Sequence, residues 1–110
     1  MTHKKFTEIL KEIIEEIKTK DLLKKEEYTR NDDRFHNFRM GAFLLDTTIP
    51  EYIITLRSKH EISILDMVND MRQNRFYPLN VWKEKITDSI LYLILLYAYI
   101  SDFYEDMGSR

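Results

Sequence analysis

The chain has no cysteine, only two glycines and two prolines, and no strong excess of either charge. Without cysteine there is no disulfide partner, no thiolate metal site and no cysteine nucleophile. So few helix breakers in 110 residues make long helices the natural outcome. A balance of 17 basic against 19 acidic residues, net −2, sets up no field toward nucleic acid or an anionic membrane, so neither is an expected partner. The longest unbroken apolar run, 90–100, is eleven residues, whereas a membrane span needs about 20. At the N-terminus, acids stand among apolar residues at helical spacing, which a signal peptide would not show. These absences leave one cytoplasmic domain over 1–110 as the expectation, burying about two thirds of its unfolded surface.

What is present is helical periodicity. Phe6, Ile9, Leu10, Ile13, Ile14 and Ile17 form one apolar stripe, which predicts an amphipathic helix over 2–25. The polar stretch EEYTRNDDR then reads as a loop in which Asn31, Asp32 or Asp33 caps a second helix over 34–45. Gly41 inside that helix costs about 1 kcal/mol against alanine, which points to a close approach by another helix. TIPE gives a sharper signal: Thr48 and Glu51 make a capping box with Pro50 in the first turn, so a third helix covers 48–73. Its inner side carries Ile53, Leu56, Ile64, Met67 and Met71. Pro78 breaks the pattern and Asn80 is placed to cap a fourth helix over 80–104, with a frayed end at 105–110. Between 90 and 100 that helix is apolar all round, more than a four-helix core of this size covers. The predicted architecture is therefore an all-α, four-helix bundle that forms a homodimer or larger assembly.

Two pairs of acids are the main chemical feature. Asp66 and Asp70 lie four residues apart on the third helix, and Glu84 and Asp88 do the same on the fourth. Asp88 shares a stripe with Leu91, Tyr92 and Leu95, so it needs a lysine, an arginine or a metal opposite it. Two helices that each present such a pair are able to hold magnesium, a hard cation with oxygen ligands. The ordinary alternative is two solvated helix faces. His60 lies with Leu56, Ile64 and Met67 and reads either as a core histidine or as a ligand. In DRFHNFR, Arg34, His36 and Arg39 stand beside Phe35 and Phe38, a set able to clamp phosphates and stack a base, or simply to start a helix with two core rings. Asn37 is free to cap, ligate or face solvent. No Walker A loop, GxGxxG, HExxH or GxSxG is present.

The segments EEYTRNDDRFHNF, TTIPEYIITLRSKHEISILDMV and WKEKITDSILYLILLYAYI, in this order, resemble a group of small, mostly phage-encoded helical proteins with a nucleotide-modification-associated domain. Those proteins are in turn similar to the MazG-like all-α nucleoside triphosphate pyrophosphohydrolases. The likeness covers about 27–100. Asp32, Asp33, Arg34 and Asn37 match its first motif, Lys59, His60 and Asp66 its second, and Glu84, Lys85 and Asp88 its third. The pyrophosphohydrolases carry acids three apart, whereas here Lys85 stands three before Asp88, and Leu91 stands where asparagine is common. The resemblance implies a MazG-like fold and a nucleotide ligand; joined to the spacings above, the expected site holds magnesium on Asp66, Asp70, Glu84 and Asp88 and a nucleotide on Arg34, Asn37, Arg39, Lys59, His60, Phe35 and Phe38. It also implies a role in phage nucleotide metabolism or DNA modification in an infected host's cytoplasm, with pyrophosphate-releasing hydrolysis weak or lost. The rival expectation is a non-enzymatic phage interaction or counter-defence protein, which sequesters a nucleotide or inhibits a host protein.

Overall fold

The computed structural model describes residues 1–108, which form four helices and no extended strand: α1 (His3–Tyr28), α2 (His36–Leu44), α3 (Ile49–Met71) and α4 (Leu79–Asp106). Ser109 and Arg110, part of the end expected to fray, lie outside the described residues, and α4 continues two residues past its expected end.

Local chemistry explains most of the boundaries. The hydroxyl oxygen of Thr2 accepts from the Lys5 amide and starts α1. Asn31 and Asp32 adopt left-handed backbone, turning the chain so that Arg30 and Asp33 pair. Asp33 then takes the Phe35 amide through its carboxylate, one residue before α2 begins. At α3 the capping box is complete: Thr48 Oγ1 accepts from the Glu51 amide at 3.2 Å, and Glu51 takes both the Thr48 amide and its hydroxyl. Asn80 is not the cap of α4. The helix begins at Leu79, after Pro78, whose carbonyl accepts the amides of Val81 and Trp82.

The core joins α2, α3 and α4 through Phe38, Ala42, Ile49, Ile53, Leu91 and Leu95, with Ile17 of α1 packed against it. On α3, Ile53 and Met67 are buried and Leu56 and Ile64 half-buried as expected, whereas Met71 is exposed. Gly41 is where α2 and α3 close in: a Cβ there would meet the Tyr52 ring at 2.3 Å. Helix α3 runs antiparallel to α4, bringing Arg57 to Ser89 and His60 to Asp88. Helix α1 runs parallel to α4, since Glu12 meets Lys83, and further on Lys20 meets Asp88. No residue of α1 is fully buried, and Phe6 and Leu10 remain 57% and 48% exposed. By length and composition α4 is apolar enough to cross a membrane, which the unbroken run alone did not indicate, and one third of its most apolar window (33%) is covered within the domain.

Candidate functional site

Asp88 is the organising residue. It lies on the inner face of α4 between Thr87 and Ser89, all three buried, with Asp88 only 7% exposed. A carboxylate in such a place requires cations, and α1 supplies two. Lys20 Nζ donates to Asp88 Oδ1 at 2.8 Å and to the Glu84 carbonyl at 3.1 Å, and Lys24 Nζ stands 3.6 Å from the same carboxylate oxygen. From α3, His60 Nδ1 lies 3.7 Å from Oδ2, too far for a hydrogen bond. That nitrogen is buried and has no hydrogen-bond partner, and its ring packs against Tyr92 at 5.7 Å.

The electrostatics follow from these distances. Burial alone would raise the Asp88 pKa, but the Lys20 hydrogen bond and the Lys24 and Lys20 charges outweigh it and hold the carboxyl below its ordinary value. His60 is pushed down, first by burial and then by Lys85, Lys24 and Lys20, against the opposing pull of Asp88. It is thereby kept neutral at physiological pH. Lys20 and Lys24 thus neutralise the one buried carboxylate, and Lys85 adds its charge at His60. One side of the cluster is closed by the Arg57–Glu61 ion pair, with Arg57 Nε donating to Ser89. Tyr28 is driven upward by burial and by its hydrogen bond with Tyr92.

The four acids expected to share a magnesium ion do not gather around it. Asp70 accepts the Tyr77 hydroxyl at 2.6 Å, and its carbonyl takes the Gln73 and Arg75 amides, so it ends α3. Asp66 and the Glu84 side chain are exposed, and Asp88 is already neutralised. Among the described residues no three acids or histidines come together in a group able to hold a metal. This donor set does not fit magnesium, because the one buried carboxylate faces two ammonium groups that would repel a dication.

The residues expected to bind a nucleotide are dispersed. Phe38 is 1% exposed and part of the core, so it offers no face to a base. Arg39 pairs with Asp33 at 2.8 Å, and Asn37 and Lys59 are exposed. Arg34 pairs with Asp21 on α1, and Phe35 packs edge-on against Tyr99. Only His60 reaches the Asp88 cluster. Lys20 and Lys24, which complete the cluster, were absent from the expected set although a signal exists: Ile13, Ile17, Lys20, Lys24 and Tyr28 continue one stripe of α1. No protein-family model, curated protein or solved structure matches the chain.

Proposed function

We propose that the protein is a non-catalytic nucleotide-binding domain of MazG-like ancestry, acting in the cytoplasm of a phage-infected cell, in which Lys20, Lys24 and Lys85 receive phosphate oxygens beside His60. The observation that carries this reading is the convergence of Lys20 and Lys24 on the single buried carboxylate, Asp88, with Lys85 acting on the same His60. Ammonium groups favour phosphate oxygens, and the unpartnered His60 Nδ1 lies beside them. Magnesium is not needed, since the lysines already supply the countercharge. Without an ion to organise an attacking water, the site binds and does not cleave.

Calorimetry with the four deoxynucleoside triphosphates, with and without a chelator, tests this. Binding is expected to persist in chelator and to weaken about tenfold in both Lys24→Gln and Lys85→Gln, each removing one ammonium contact. Binding that requires magnesium and survives both substitutions would overturn it.

A second reading concerns assembly. Phe6, Leu10, Leu93, Ile94 and Tyr97 are exposed on α1 and α4, more apolar helix surface than one copy covers. Self-association into a homodimer or larger assembly accounts for it, and the same surfaces are available to a host protein in the counter-defence reading.

A further inference from the structure

On the flank of α1 away from Lys20 and Lys24, a cleft of about 440 Å³ opens between α1, the start of α2 and α4. That volume is within the usual range for small-molecule sites, about 300–1,000 Å³. Its walls are apolar, formed chiefly by Ile14, Ile17, Phe35, Leu91, Ile94 and Leu95. Phe35 is held in place by Phe38 and Tyr99, at ring separations of 5.9 and 5.6 Å, so the wall it forms is fixed.

The polar groups at this cleft are Lys18, Asp21 and Arg34. Asp21 engages Arg34 through Nη2 alone, and the Arg34 Nε is buried with no hydrogen-bond partner. A buried donor without an acceptor is costly, and a guanidinium presents its N–H groups as a fork matched to a planar carboxylate. Lys18 adds a second cation, tied only to the exposed Glu15 on the same helix. With so few polar groups the cleft suits one charged head on an apolar body, not a triphosphate.

We infer that this cleft binds an amphipathic monocarboxylate of the medium-chain fatty acid class, its hydrocarbon between α1 and α4 and its carboxylate accepting from Arg34 Nε, with Lys18 nearby. The site is separate from the lysine cluster and does not depend on nucleotide binding.

Calorimetric titration of the full chain with decanoate and with 1-decanol tests it. Saturable decanoate binding is expected in the wild type. Arg34→Lys keeps a cation for Asp21 but removes Nε, so decanoate should weaken about tenfold while 1-decanol is unchanged. Ala98→Trp places a large ring on the cleft wall and should abolish both, with helical circular dichroism confirming that the variant folds. Absence of saturable decanoate binding in the wild type would overturn the inference, whether the cleft is covered by a second copy or simply empty. Equal loss of acid and alcohol in Arg34→Lys, or undiminished binding in Ala98→Trp, would overturn it as well.

Discussion

A buried carboxylate between two lysines is stable only while all the partners are charged, and the fold therefore depends on Asp88. Asp88→Asn leaves Lys20, itself 12% exposed, facing a neutral amide, and should destabilise the fold by about 3 kcal/mol. Thermal melts should show the same loss with and without magnesium. A variant more stable than the wild type in the absence of metal would mean that Asp88 is repelled by other acids and not held by lysines. The pH dependence has the same origin. His60 is depressed below its ordinary 6.5, so the unfolded chain takes up a proton first as pH falls, and stability declines from pH 6.5 downward through the folded value. Asp88 is depressed below 3.8, so its contribution is full above that pH and is lost in stronger acid. Stability measured by denaturant titration should therefore fall once below pH 6.5 and again below 3.8, and in alkali it should fall above pH 10, where the unfolded chain ionises Tyr28 before the folded one does. From the sequence alone, the stripe of Asp88 was enough to show that it needed a counter-charge. The identity of that charge was not legible, because Lys20 and Lys24 reach Asp88 across 68 and 64 residues and helical periodicity carries no information about which faces meet.

At the scale of the helices, Gly41 and Tyr52 form a close junction between α2 and α3. Alanine at 41 would gain about 1 kcal/mol of helix propensity but push the Tyr52 ring away from Phe38, at an overpacking cost of about 1–3 kcal/mol. Gly41→Ala should thus lower stability in the wild type and raise it in a Tyr52→Ala background, and a double-mutant cycle by chemical denaturation reads the change of sign. A destabilising effect in both backgrounds would place the strain in the backbone instead. The helices themselves were legible to within a few residues, because Thr48, Glu51 and Pro78 act through neighbours in sequence. The start of α4 was misread at Asn80, since Pro78 already ends the preceding turn and its carbonyl collects the first free amides. For α4 the apolar run 90–100 was read as more than one four-helix core covers; of it Leu91 and Leu95 are buried and Leu93, Ile94 and Tyr97 face outward.

For the whole molecule, that outward surface predicts association. Burial of aromatic and aliphatic area at about 25 cal/mol per Å² favours a helix-to-helix contact between copies, so light scattering at high micromolar concentration should report about twice 13.4 kDa or more. A mass equal to one chain would exclude it. The parallel pairing of α1 with α4 has another consequence, in time instead of space. Glu12 and Lys20 of α1 find their partners 71 and 68 residues later, after α2 and α3. At a synthesis rate of about 5–20 residues per second, a nascent α1 waits roughly 3–14 s before its docking surface exists. During that interval its stripe of isoleucines, only partly covered even in the finished domain, is open to any other apolar surface, including an α1 on a neighbouring ribosome.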